Sequence, residues 1–129
     1  MNGVNFAKVL LVLIALSGAS SVLLGAWLAH AGQQLILADK ARLVTAHHYQ
    51  IIHTLAALAS ILSYRVKLSR VLLISSLLFI VGILTFSGSL YMKTYTGIDD
   101  LGKLAPFGGV ILALAWILLA FVSIGTKEK

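Results

Sequence analysis

Three histidines lie close together in an apolar stretch of the chain, at positions 47, 48 and 53. Gln50 stands between them, one helical turn from both His47 and His53. Ionisable side chains are costly in the hydrocarbon of a bilayer, so their presence there commonly marks an ion or substrate pathway. Two histidines from different helices can also ligate a haem iron. This run is therefore the first place to look for chemistry.

The composition defines the kind of protein that must position these residues. The chain has 129 residues, of which 60% are hydrophobic and only 11% charged, whereas a soluble domain has about 25% charged residues. The mean hydropathy is +1.01. A soluble domain of this length has too little interior to bury so much apolar surface. We therefore expect an integral membrane protein whose main partner is the lipid bilayer.

The net charge excludes one class of partner. The chain carries +6, but its basic residues are scattered at the ends of apolar runs and form no patch for nucleic acid. There is no cysteine, which excludes disulfides and thiolate metal sites.

Four apolar stretches approach or exceed the ~20 residues that cross a bilayer. They cover residues 6–31, 44–64, 71–91 and 106–124. The prediction is a single all-α transmembrane domain over residues 1–129, an antiparallel bundle of four transmembrane helices. The first stretch has an alternative interpretation as a cleaved signal peptide, but it is longer than the ~7–15 apolar residues of such a segment, so we expect it to be retained.

Basic residues predict the orientation of the bundle. With four spans, the N-terminus, the second loop and the C-terminus lie on one side, which holds six basic residues and one acidic residue. The other side holds four basic and three acidic residues. Because the cytoplasmic side carries the excess of lysine and arginine, both termini are expected in the cytoplasm, and the protein in the inner, or plasma, membrane.

Small residues recur at helical spacing and predict where the helices pack, since close approach in lipid depends on them. In the first span they follow four-residue steps, and in the third and fourth spans they follow steps of three, four and seven. The predicted packing residues are Ser17, Ser21, Gly25, Ala29, Ser75, Gly82, Thr85, Gly109 and Ala113.

The predicted topology brings the polar residues of the four spans to one leaflet, the non-cytoplasmic one. His53 lies deepest, ~14 Å from the start of its span at ~1.5 Å per residue. On a helical wheel His47, Gln50 and His53 share one side, whereas His48 lies on another. The predicted polar cluster of the outer leaflet comprises His30, His47, Tyr49, Gln50, His53, Ser87, Ser89 and Tyr91.

Several short motifs occur in the same order in a known family. They are Gly25-Ala26-Trp27-Leu28-Ala29-His30, Tyr49-Gln50-Ile51-Ile52-His53-Thr54, Phe86-Ser87-Gly88-Ser89-Leu90-Tyr91 and Pro106-Phe107-Gly108-Gly109. In these motifs the chain resembles the YgdD-like family of small inner-membrane proteins, whose eukaryotic relatives are small transmembrane proteins. The resemblance implies a four-helix membrane protein of unknown function and names no reaction.

No catalytic motif is present: there is no nucleophile elbow, metalloprotease His-Glu motif or phosphate loop. We therefore expect a protein that is not an enzyme and has no metal site and no cofactor. Its expected role is that of an accessory or interaction protein, which binds a membrane-protein partner or forms a homo-oligomer. One alternative is a small transporter or channel subunit that uses the face of His47, Gln50 and His53. A less favoured alternative is a haem-binding membrane subunit, with His30 and either His48 or His53 as axial ligands.

Overall fold

The computed structural model describes residues 3–124, with side-chain environments for residues 3–122. It contains four α-helices: α1 (Gly3–Ala29), α2 (Leu37–Lys67), α3 (Arg70–Thr96) and α4 (Ala105–Ile124). Two short 3-10 segments, Ala31–Gln34 and Asp99–Leu104, connect α1 to α2 and α3 to α4. No strand occurs in this part of the chain, which confirms the all-helical prediction.

Length and composition qualify three segments of the described chain to cross a membrane: Gly3–Ala29, Arg70–Thr96 and Asp99–Val122. Helix α2 is the longest of the four, with 31 residues, and it is not among these three. Its polar residues, the histidines and Gln50 above all, make it less apolar than its neighbours. The segment 44–64, which we predicted to span the membrane, is thus helical, but its length and composition alone do not identify it as a membrane span.

Helices α2 and α3 form the central antiparallel pair of the fold. They are joined at Leu68, which has a left-handed backbone with φ of 51° and ends α2. Two serines of α3 donate hydrogen bonds to backbone carbonyls of α2: Ser76 to Ala57 O at 3.1 Å and Ser87 to Ala46 O at 2.7 Å. Because both alanines are completely buried, the two backbones approach closely at these two points.

Helix α4 packs against α3 through glycines. A Cβ on Gly82 would lie 2.4 Å from Leu112 Cδ2, and a Cβ on Gly108 would lie 2.4 Å from Phe86 N. Neither contact leaves room for a side chain. These glycines therefore set the separation of the two helices.

On α4, the small residues that we predicted to pack against other helices do not coincide with the observed packing surface. Gly109 is only half-buried, and a Cβ there would make an ordinary contact with the Phe86 ring at 3.8 Å. Ala113 is exposed, whereas Ala115 is completely buried. The prediction for Ala113 is wrong because α4 is apolar on all sides, so that small residues occur on both its inner and its outer face.

Helix α1 lies against α2 through three of its four predicted small residues. Ser21 is buried, Ser17 is hydrogen-bonded to Thr54, and a Cβ on Gly25 would lie 3.0 Å from the His47 ring. Ala29, the fourth, is exposed at the end of the helix, so it does not belong to this interface.

On α3, the predicted packing residues have different environments. Ser75 and Gly82 are buried. Thr85 is half-buried and donates its hydroxyl to Val81 O of its own helix at 2.8 Å, which satisfies the group without a partner helix.

The outer surface of the bundle is strongly apolar. Large side chains such as Val22, Leu23 and Leu62 are exposed, while the interior holds Leu10, Phe79 and other apolar residues. Apolar exposure on this scale is unfavourable in water and is what a lipid environment requires. The fold therefore positions its few polar side chains inside, between the helices.

Candidate functional site

One buried glutamine connects three helices. Gln50 of α2 is 4% exposed. Its Nε2 donates to Ser17 O and to Ser20 Oγ of α1, each at 2.9 Å, and its Oε1 accepts a hydrogen bond from the Tyr91 hydroxyl of α3 at 2.7 Å. We call this set of contacts the Gln50 bridge.

The bridge uses both amide hydrogens of Gln50, so its burial leaves no donor unsatisfied. A hydrogen bond contributes ~1 kcal/mol on average in folded proteins, and the average between membrane helices is about 0.6 kcal/mol. Ser17 adds a further contact to α2, because its Oγ lies 2.7 Å from Thr54 Oγ1. The second half of helix α1 is thus attached to α2 by polar side chains, whereas Leu10 and Ile14 of its first half pack in the apolar core.

The Gln50 bridge forms the floor of a crevice between α1 and α3, the α1–α3 crevice, with a volume of about 500 Å³. Leucines and isoleucines line most of its walls, with Leu16 on the α1 side and Leu84 on the α3 side. These two residues are 61% and 67% exposed, so the crevice is open to the surroundings of the bundle. Its volume is in the range of ligand sites, ~300–1,000 Å³.

Gly88 of α3 lies on the wall of this crevice. A Cβ on Gly88 would find no atom within 4 Å, in contrast to the crowded positions of Gly82 and Gly108. The absence of a side chain at Gly88 is therefore not needed for packing among the described residues. It widens the crevice.

His47 faces α1 without lining the crevice. Its Nε2 lies 2.7 Å from Ser21 O, and because a carbonyl only accepts, the imidazole donates from Nε2. The ring rests where Gly25 has no side chain, since a Cβ there would lie 3.0 Å from it.

His53 points to a different part of the bundle. Its Nδ1 donates to Tyr49 O of its own helix at 2.6 Å. Its ring contacts Tyr49, Phe79 and Trp116, with ring centroids 5.4, 5.9 and 6.2 Å apart. His53 thus belongs to an aromatic group on α3 and α4, and it is 7% exposed.

The predicted polar face of α2 is therefore divided between two interfaces. His47 and Gln50 face α1, whereas His53 faces the aromatic group. A helix in the centre of a bundle has neighbours on several sides, and His47 and His53 are separated by ~120° on the helix at 100° per residue. The prediction of one continuous histidine and glutamine face is wrong in this respect.

The other predicted cluster residues lie as follows. Ser87 lines the crevice and is bonded to α2, and Tyr49 stacks on Phe86 with a centroid separation of 4.1 Å. Ser89 is buried and donates to Phe86 O of its own helix. His30, beyond the end of α1, is exposed, as is His48, which was predicted to lie outside the cluster.

For the haem hypothesis, His53 is the most buried histidine, and the hydrogen bond from its Nδ1 leaves Nε2 as the ring nitrogen available to iron. That hypothesis stays a prediction, for which the absorption spectrum of the purified protein is the test. Among the described residues, no group of three or more histidine, aspartate or glutamate side chains is placed to hold a metal ion.

Sequence reasoning missed Ser20 as a partner of Gln50 and Thr54 as a partner of Ser17. The spacing in the sequence could have indicated both residues. Ser20 follows Ser17 by one helical turn and Thr54 follows Gln50 by one helical turn, so each pair lies on one face of its helix. Trp116 was also missed as a contact of His53.

Apolar helices of spanning length, an apolar surface and an interior in which the described buried polar side chains other than Ser75 are hydrogen-bonded together define a multi-pass membrane protein. The family model described as "Protein of unknown function (DUF423)" matches residues 24–109. The chain belongs to this family, that of the UPF0382 membrane proteins, which confirms the resemblance found in its motifs.

Similar proteins occur in distant bacteria. A UPF0382 membrane protein of Haemophilus influenzae is 39% identical over 120 residues, 92% of this chain and 95% of its own. The UPF0382 inner membrane protein YgdD of Escherichia coli K12 is 31% identical over 95% of each chain. YwdK of Bacillus subtilis is 34% identical over 91% of this chain and 97% of its own. No solved structure matches. The protein is accordingly a multi-pass protein of the inner membrane.

Proposed function

We propose that this protein is a non-enzymatic accessory protein of the inner membrane, and that its α1–α3 crevice binds a transmembrane helix of a partner protein. The observation that carries the proposal is the crevice itself, which has apolar walls, a hydrogen-bonded floor and an opening toward the lipid. The function lies in binding, because the chain has no catalytic motif.

Gly88 supports a helix as the occupant. Small residues allow transmembrane helices to approach closely, and Gly88 leaves open space at the wall of the crevice. Ser17 and Ser20 are small residues on the opposite wall. A partner helix that enters between these walls replaces lipid contacts by complementary packing on both sides.

The proposal includes the topology. All four helices cross the bilayer, with both termini in the cytoplasm, and α2 spans it in spite of its polar residues. Two observations support this topology. Helix α2 lies between α1 and α3 and makes hydrogen bonds to both. The described acidic residues, Asp39, Asp99 and Asp100, all lie at the end of the bundle away from the start of α1.

The test is co-purification from mild detergent with the Gly88→Leu variant. A leucine at this position fills open space, so the fold is retained while the crevice is narrowed. We expect the wild-type protein to retain a partner that the variant loses. Ala113→Leu is the matched control, because Ala113 is exposed on α4 and its enlargement leaves the crevice unchanged. Recovery of only a monodisperse homo-oligomer from both proteins would contradict the proposal.

A second candidate function is transport, with the polar floor of the crevice as the binding site for a solute. The observation that favours it is that Gln50 and Tyr91 both line the crevice. His47 and His53, which the sequence suggested for this role, do not. Solute flux in proteoliposomes that is unchanged by Gln50→Leu would count against it.

A further inference from the structure

A second cavity lies at the other end of the bundle, between the start of α1 and the end of α2. Its volume is about 170 Å³. Two cationic side chains, Lys8 and Arg65, line it together with the apolar side chains of Val4, Leu11 and Leu68. We call it the basic groove. It lies away from the Gln50 bridge and shares none of its residues.

The groove follows from the way in which α2 ends. The left-handed residue Leu68 stops the helix, and its N–H donates to Tyr64 O at 2.7 Å. Tyr64 is buried at the base of the groove, and its hydroxyl would lie 2.9 Å from a Cβ on Gly3. The ring thus fills the gap between the two helices below the groove, while Leu68 remains exposed at its edge.

The charge of the groove is not neutralised within the described chain. The three ion pairs there involve Asp39, Asp99 and Asp100, all at the opposite end of the bundle. Neither Lys8 nor Arg65 takes part in any of them. Two cations that border an apolar groove favour a ligand with an anionic head and an apolar body.

We propose that the basic groove binds an anionic membrane phospholipid. The phosphate of the headgroup lies between Lys8 and Arg65, and an acyl chain runs along Val4 and Leu11. Arginine binds phosphate through paired N–H donors, and lysine adds a compact positive charge. Basic pockets between transmembrane helices are known to bind lipid headgroups.

A lipid fits better than free phosphate because the walls of the groove are apolar and open. Val4 is 60% exposed and Leu68 67% exposed, so an ion from solution would leave these surfaces uncovered. In a bilayer they contact acyl chains directly. The groove binds a lipid of whichever leaflet surrounds this end of the bundle. The proposal of a lipid site therefore does not depend on the proposed orientation of the protein or on the proposed partner helix.

The test is native mass spectrometry of the full chain, released from detergent in the presence of phosphatidylglycerol, phosphatidylcholine or inorganic phosphate. The variant is the double substitution Lys8→Gln and Arg65→Gln. The matched control is Lys67→Gln with Arg70→Gln, which removes the same charge from exposed positions at the same end that do not line the groove. Thermal unfolding in detergent checks that all three proteins are folded.

We expect wild type and control to retain phosphatidylglycerol in preference to phosphatidylcholine, and the groove variant to lose this preference by about thirtyfold, since each of the two removed basic residues contributes about 1 kcal/mol to anionic lipid binding and about 1.4 kcal/mol is a factor of ten. An equal loss in the control would overturn the proposal in favour of diffuse surface charge. Displacement of the lipid by inorganic phosphate would overturn it in favour of a free-phosphate site, and wild-type protein without any preference would refute it.

Discussion

Helices α1 and α4 flank the same central pair, but they are attached to it by different chemistry. Helix α4 lies against α3 with glycines at the closest points, where Gly82 meets Leu112 and Gly108 meets Phe86. Helix α1 packs Leu10 and Ile14 of its first half into the core, but its second half is attached by hydrogen bonds, from the Gln50 bridge and from the pair Ser17 and Thr54. The α1–α3 crevice lies on the α1 side.

The difference indicates that the two interfaces differ in rigidity. Close glycine packing leaves little freedom, because Gly108 lies against the backbone of Phe86 and Gly82 against the side chain of Leu112. A hydrogen-bonded interface with an adjacent crevice has fewer packed atoms and opens at lower cost. The α3–α4 side is therefore the rigid scaffold, and α1 is the helix that can adjust to an occupant of the crevice.

The largest effect is expected where the scaffold is tightest. Gly108→Ala places a Cβ 2.4 Å from Phe86 N, and because the obstacle is backbone, the two helices must separate. Overpacking of this kind costs typically 1–3 kcal/mol and sometimes more. The measurement is the free energy of unfolding in mixed detergent micelles.

The neighbouring glycine supplies the control. A Cβ on Gly109 meets the Phe86 ring at an ordinary 3.8 Å, so Gly109→Ala is expected to leave stability unchanged or slightly improved. If both substitutions destabilise the protein equally, the proposed glycine contact between α3 and α4 is incorrect.

A smaller effect is expected on the α1 side. Gln50→Leu removes the three hydrogen bonds of the bridge and leaves the Tyr91 hydroxyl without its acceptor. At about 0.6 kcal/mol for each bond between membrane helices, the loss is on the order of 2 kcal/mol. Hydrogen exchange should rise in α1 and stay unchanged in α4. Equal acceleration in both helices would remove the distinction between scaffold and adjustable helix.

The smallest effect is expected within the central pair. Ser87→Ala removes one hydrogen bond to Ala46 O of the neighbouring helix and should cost about 0.6 kcal/mol. Thr85→Ser is the comparison, because Thr85 bonds only to Val81 O in its own helix and serine retains that hydroxyl. Unfolding experiments that find no difference between these variants would show that the bond to α2 contributes nothing.

The helices were predictable from sequence because long apolar runs separated by glycine and charged residues leave few alternatives. The predicted spans and the observed helices agree closely, except that α3 ends at Thr96, beyond the predicted residue 91, and α2 begins at Leu37, ahead of the predicted residue 44. This early turn is polar and is held by Arg42, which bonds Asp39 at 2.6 Å and Thr94 of α3 at 3.2 Å. Such a tertiary contact has no signature in hydropathy.

The arrangement of the site was only partly predictable. The sequence indicated Gln50, Ser87 and Tyr91, which the structure places at one crevice. It could not tell Gly108 from Gly109 as the close contact, because both lie in an apolar run and only the rotation of α4 separates them. Nor could the sequence show that His53 and His47 face different neighbouring helices, since their environments depend on which helices flank α2.

The most direct test of the central claim is site-specific photo-crosslinking in the native membrane. A photoreactive residue in place of Leu84 lies at the crevice, and one in place of Leu114 lies on the exposed face of α4. We predict a single protein adduct from position 84, which disappears when Gly88→Leu is added, and none from position 114. Adducts with lipid alone from both positions, or an adduct at 84 that survives Gly88→Leu, would contradict binding of a partner helix in the α1–α3 crevice.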